Sequence, residues 1–188
     1  MAPVEYDRKI TLEEKLEHFC AQNREKEDAA RRILAFVRST PDCFERSHAS
    51  GHITGSAWLL NPAGDKVLMT LHRKLKRWLQ PGGHADGEKD TLAVALREAE
   101  EESGICGIIP VSDDIFDVDI HLIPARPGEA AHYHYDIRYL LRAPHEQFAV
   151  SDESDALAWW SAADFAARAH ETDEAVLRMA AVIPGIKL

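Results

Sequence analysis

Apolar positions near the start of the chain recur at helical spacing. Leu12, Leu16 and Phe19 fall on one stripe behind Thr11 and Glu14, whose spacing is that of a capping box. Ala30, Ile33, Leu34 and Val37 form a second stripe over about Glu27 to Arg38, and Thr40-Pro41-Asp42 stops it. These two helices are expected to pair as an N-terminal hairpin packed on the rest of the chain. The pattern then changes: Ile53 to Leu60 and Lys66 to Leu71 are β-type runs joined by the turn-rich Asn61-Pro62-Ala63-Gly64-Asp65. Trp78-Leu79-Gln80 leads into Pro81-Gly82-Gly83, which reads as a tight bend. Helical spacing returns with Leu92, Leu96 and Ala99, between an N-cap at Asp90 and a stop at Gly104. Phe116 to Ile123 and His132 to Leu141 read as strands, Trp159-Trp160 precedes a helix from about Ser161, and Asp173 to Val182 reads as a last helix. Helices, strands, helix, strands, helices: this order predicts an α/β fold in which helices pack on a mixed sheet.

Composition narrows the functions open to such a fold. The chain has 188 residues, enough for one domain with a helical appendage, and 45% hydrophobic content, enough to bury a core. A formal charge of −10 argues against a nucleic-acid polymer or an anionic membrane surface as partner, since phosphate backbones are held by clustered Lys and Arg. An acidic protein can still bind a phosphate compound when a divalent cation sits between the two. Cys20, Cys43 and Cys106 are scattered, with no C-x-x-C spacing, which argues against zinc and a disulfide framework and leads us to expect a cytoplasmic location. No signal-peptide pattern opens the sequence, and no apolar run approaches membrane-spanning length.

Glu98, Glu101 and Glu102 stand at i, i+3 and i+4, so their carboxylates leave one side of one helix. A like-charged cluster weakens a helix unless something positive binds there, and Mg²⁺ takes hard carboxylate and phosphate oxygens. Taken alone, the cluster also fits a solvated helix face. Its surroundings decide the matter. Gly82-Gly83-His84-Ala85-Asp86-Gly87-Glu88 and Arg97-Glu98-Ala99-Glu100-Glu101-Glu102-Ser103-Gly104-Ile105 together resemble the box of the Nudix family: Gly, five residues, Glu, seven residues, then Arg-Glu-apolar-x-Glu-Glu-x-Gly-apolar.

The resemblance implies a Nudix-type mixed sheet sandwiched between helices, with the domain over residues 46–188 and the helical hairpin as an extension over residues 1–45. It also implies a hydrolase that attacks a diphosphate linkage with water. On this reading Glu98, Glu101 and Glu102 hold Mg²⁺, with Mn²⁺ as a substitute, a Gly82 or Gly83 carbonyl adds a ligand, and Arg97 orients the acids. The partner is a small phosphoanhydride, in a nucleoside diphosphate derivative, and a homodimer is left open. A ligand-sensing domain and a diphosphate isomerase are the other activities of the scaffold, the latter needing a cysteine and glutamate pair with no counterpart here. One position departs from the pattern: Lys89 stands where the first glutamate belongs, flanked by Glu88 and Asp90. In the family that glutamate braces the arginine, and a one-residue displacement of the loop would restore the brace through Glu88.

Glu153, ahead of Asp152 and Asp155, occupies the loop before Trp159-Trp160 where the family often places a further metal ligand or general base. His132, His134 and Asp136 alternate and so share a strand face, open to either a transition-metal or a plain polar reading. His52, His72 and His84 flank the expected cleft; His52, His84, His132 and His134 are the candidate substrate contacts. Cys106 reads as a packed apolar residue rather than a nucleophile.

Overall fold

The computed structural model describes residues 10–126, 128, 130–151 and 154–182. Helix α1 (Leu12–Gln22) opens at Thr11, whose hydroxyl accepts from the Glu14 N–H at 3.2 Å while Glu14 accepts from the Thr11 N–H at 2.8 Å. A 3-10 turn at Arg24–Lys26 reverses the chain into α2 (Glu27–Ser39). Arg38, near the end of α2, pairs with Glu13 and Glu17 of α1 and closes the expected hairpin.

The strands are β1 (Gly51–Leu60), β2 (Lys66–His72), β3 (Trp78–Leu79), β4 (Gly82–His84), β5 (Ile109–Pro110), β6 (Asp117–Ile123), β7 (His132–Arg142) and β8 (Ser154–Ser161), and they form one mixed sheet. Helix α3 (Thr91–Ser103) comes after β4, and α4 (Ala162–Ala167) and α5 (Glu174–Ala181) come after β8. Strand β1 is the centre. It runs parallel to β7 along its whole length, from Gly51 opposite Tyr133 to Leu60 opposite Arg142. It also pairs antiparallel with β4 in its middle and with β2 at its end. Strand β6 adds to β7, and β8 to β2.

Successive side chains of a strand point to opposite faces, so β1 divides its residues between two cores. Ile53, Ala57 and Leu59 join Ile137, Tyr139 and Leu141 of β7 beneath Leu16, Phe19 and Ile33 of the hairpin and Val94, Ala95 and Ala99 of α3. Trp58 and Leu60 face the other way, against Val67, Met69, Trp160, Phe165, Val176 and Met179. The hairpin and α3 thus cover one face and α4 and α5 the other, which is the expected sandwich. Helix α3 lies close on β1: a side chain at Gly55 would meet the Thr91 carbonyl at 2.8 Å and Val94 Cβ at 2.9 Å. Among the described residues no helix is long and apolar enough to cross a membrane.

Three sequence expectations change. Residues 154–161 form a strand, not only a lead-in to a helix, because Ala156 and Ala158 pair with Leu71 and Met69 of β2 although alanine is a poor strand former. Of Pro81-Gly82-Gly83 only Pro81 lies in a bend: Gly82 and Gly83 belong to extended β4, paired with Ser56 and Gly55. Cys106 is exposed rather than packed.

Candidate active site

Helix α3 begins at Asp90, whose carboxylate accepts from the Ala93 N–H at 3.3 Å, and ends at Gly104, whose φ of 67° suits glycine. Its acidic face is turned toward β4. The Glu102 side chain is buried and accepts a 2.7 Å hydrogen bond from the Gly82 N–H. Glu98, with 14% of its side chain exposed, lies against Gly83 so closely that a methyl group there would overlap its carboxylate. Glycine is needed at position 83 for close approach. Glu101 projects outward, with 65% of its side chain exposed. Glu100 serves the backbone instead, accepting from the Gly107 N–H at 2.9 Å.

Arg97 donates to the His84 carbonyl at 2.8 Å and to Glu98 at 2.7 Å, and lies 4.0 Å from Glu101. The bond to Glu98 holds its guanidinium even more firmly charged than usual. The arginine therefore clamps β4 to the acidic face directly. The displaced brace is overturned: Glu88 accepts from the Asp90 N–H at 2.8 Å, and Asp90 caps the helix. The loop is tied from another direction, since its own Asp86 forms a two-pronged pair with Arg46 that holds the carboxyl below the usual range. Glu153 and Asp152 lie outside the described residues. Asp155 is taken up by Lys76 at 2.6 Å and Arg73 at 3.3 Å.

The α5 side of β4, β1, β7 and β6 carries a polar patch. Strand register sets His52 beside His134 and His134 beside His121, with His84 opposite Thr54. The His52 ring is 4.8 Å from that of His134, 4.9 Å from His84 and 5.0 Å from His132, centre to centre. Burial and then the neighbouring imidazoles push His52 down to about 4 and His134 down to about 3, so both are neutral at neutral pH. His72 is elsewhere, its Nδ1 accepting from the Lys74 and Leu75 N–H groups of a turn.

Beyond the histidines the patch becomes a buried charge network. Asp136 accepts from Thr54 Oγ1 at 2.9 Å, Ser56 Oγ at 2.7 Å and Arg138 at 2.7 Å. Arg138 also reaches Asp117 at 3.0 Å and Asp119 at 3.4 Å, and Arg178 of α5 donates to Asp117 at 2.8 Å. Burial alone would raise the Asp119 carboxyl, but the hydrogen bond from His121 and the charge of Arg138 outweigh it and bring it down to about 2. Sequence reasoning missed His121, Asp119 and Arg138. The alternation Asp117, Asp119, His121 was the available signal, of the same kind as His132, His134, Asp136.

A mixed sheet between helices, with a glycine strand folded onto an arginine-clamped acidic helix, is the arrangement that the box motif implies. The NUDIX domain model matches residues 52–180, and the chain belongs to that family. Among individual relatives, a "Probable DHNTP pyrophosphohydrolase" of Lactococcus lactis subsp. cremoris (strain MG1363) is 30% identical over 90 residues. That match covers 47% of this chain and 53% of the relative, so the chain spans about half the relative's length. A NUDIX-family hydrolase of Clostridium perfringens superposes with a TM-score of 0.54 at 28% identity, covering 68% of this chain and 92% of that one. The dihydroneopterin triphosphate pyrophosphohydrolase of E. coli shares the fold, with a TM-score of 0.52 at 19% identity over 70% of this chain and 94% of its own.

Proposed function

We propose that the chain is a Mg²⁺-dependent pyrophosphohydrolase that cleaves a diphosphate linkage in a nucleoside diphosphate derivative or a related small phosphoanhydride. The observation that carries this reading is the contact of Glu98 and Glu102 with Gly83 and Gly82, which sets acidic side chains against a bare strand backbone. The donors suit the ion: carboxylates and a peptide carbonyl are the hard oxygens that Mg²⁺ prefers, and the missing Cβ at Gly83 keeps backbone and carboxylate together. Glu98, Glu101 and Glu102 would hold it, with a Gly82 or Gly83 carbonyl beside them; Mn²⁺ would serve as well. When bound, the ion supplies neutralisation of phosphate charge and a lowered pKa for coordinated water.

Arg97 is a positioning residue. By joining the His84 carbonyl to Glu98 it fixes the strand against the helix acids and limits their rotamer freedom. In the reaction water adds to phosphorus as the bridging P–O bond breaks, and no covalent intermediate with the protein is required. Glu153 is our candidate for taking the water's proton, on the strength of its place before Trp159-Trp160. His84, beside Gly83 on β4, is a candidate contact for the substrate, with His52, His132 and His134 on the same polar patch. The cytoplasm is the expected location.

The test is a panel of phosphoanhydrides assayed with and without Mg²⁺: oxidised nucleotides, ADP-ribose, dinucleoside polyphosphates, sugar nucleotides and dihydroneopterin triphosphate. The last belongs there because of the Lactococcus relative's name. Release of phosphate after pyrophosphatase or phosphatase treatment reports cleavage. Mg²⁺-dependent turnover of at least one compound is expected. Binding of a panel member without turnover would instead favour a sensing domain.

A further inference from the structure

The attack of water and the carboxylate-held cation proposed above leave the imidazole nitrogens of the polar patch without a chemical part. Among the described residues, His52, His132 and His134 place one ligand nitrogen each within 4.8 Å of one another. His52 is 2% exposed, and neither of its ring nitrogens has a hydrogen-bond partner; Nε2 of His134 has none either. A buried polar atom left without a partner is costly, and here several lie in one cluster. His132 donates from Nδ1 to the Ala130 carbonyl at 2.9 Å, which leaves the ring's lone pair on Nε2. The remaining imidazoles stand at the edge: His84 and His121 lie 5.2 Å and 5.3 Å from the His134 ring.

We infer that His52, His132 and His134 form a binding site for one divalent transition-metal ion of the zinc type, separate from the carboxylate site on α3. Neutral imidazole is a strong ligand for such ions and a poor one for Mg²⁺. Tetrahedral zinc with Zn–N distances of about 2.0–2.1 Å brings ligand nitrogens to roughly 3.4 Å apart, a closure that ring rotation can supply. Three imidazoles leave the fourth position to water or to an anionic oxygen. The scattered cysteines exclude only a thiolate-held zinc and say nothing about an imidazole set. Because β1 and β7 pair in parallel and come from distant parts of the sequence, the ion would fasten together the beginnings of the two strands.

The experiment uses the full chain, stripped of metal and kept in excess Mg²⁺ so that the α3 acids are engaged. Zn²⁺ is then titrated in by calorimetry. One equivalent should bind in competition with no amount of Mg²⁺. His134→Asn should weaken it by about 100-fold or more, since even an outer hydrogen-bond partner of a ligand is worth 10–100-fold. Glu102→Gln should bind zinc as the unaltered chain does. X-ray absorption of the zinc-loaded unaltered chain requires no variant to fold and should show three imidazoles around the ion. An oxygen-only shell, zinc binding lost in Glu102→Gln but kept in His134→Asn, or no binding above that of a His52→Asn/His134→Asn double variant shown to be folded by circular dichroism, would overturn the assignment.

Discussion

The paired strands β1 and β7 present two faces that differ in kind. Toward the hairpin and α3 the residues are Ile53, Ala57 and Leu59 with Ile137, Tyr139 and Leu141, apolar apart from one hydroxyl that meets Thr91 at 2.8 Å. Toward α5 the same strands carry His52, Thr54 and Ser56 with His134, Asp136 and Arg138 before the surface becomes apolar at Trp58. Apolar burial at roughly 25 cal/mol per Å² can hold the first face together. The second is held by charges and hydrogen bonds that stabilise only while every partner is present. The acidic face of α3 is different again, since on the proposed reading its gathered charges hold a cation. Catalysis and stability should therefore respond to different carboxylates.

The largest effect is expected at the acidic helix. Glu98→Gln combined with Glu102→Gln should remove several kcal/mol of transition-state stabilisation, a rate loss on the order of 10³-fold or more, with the fold intact by circular dichroism. A double variant that retains a tenth of the rate would erase the distinction between the regions. Next comes the buried network, where the expected loss is in stability. Asp136→Asn leaves Arg138 short of a partner in a buried position and should cost about 3–5 kcal/mol in urea unfolding.

The same network makes acid sensitivity a measure of that face. The Asp119 carboxyl is lowered to about 2 in the folded chain and titrates near 3.9 when unfolded, and Asp136 shifts in the same direction. Their contribution is full above about pH 4 and is lost as pH falls toward 2. The urea midpoint should drop across that window, and the drop should shrink in Asp136→Asn; equal slopes in both proteins would count against the network. Smaller still is the cap: Asp90→Ala should lower stability by about 1 kcal/mol, seen as a lower Tm. Glu88→Gln and Lys89→Ala should both stay within about ±0.5 kcal/mol and leave the rate unchanged, because neither side chain holds Arg97.

Legibility in the sequence depends on the distance between cooperating residues. The capping box at Thr11 and the apolar stripes of the hairpin are local and match the structure; helix α3 is local too, but of its i, i+3, i+4 acids Glu98 and Glu102 turn to β4 while Glu101 projects outward. The arginine brace was misplaced because its acceptors are the adjacent Glu98 and a backbone carbonyl, and no residue pattern marks a carbonyl. The glycines of β4 suggested a turn, although their role is to lie flat against Ser56 and Glu98. Strand β8 was hidden because Ala156 and Ala158 acquire their conformation from β2. The histidine group was legible only in part: His132 and His134 alternate on one strand, but His52, His84 and His121 reach them through pairing across the sheet.

The central claim is that the carboxylates of α3 act through a divalent cation. It is tested most directly by turnover of the best panel compound as Mg²⁺ is removed with chelator and then restored in excess. The expected result is loss of turnover in chelator and full recovery on Mg²⁺ alone, with no recovery in the Glu98→Gln/Glu102→Gln variant. Full turnover by the unaltered chain in excess chelator would contradict it.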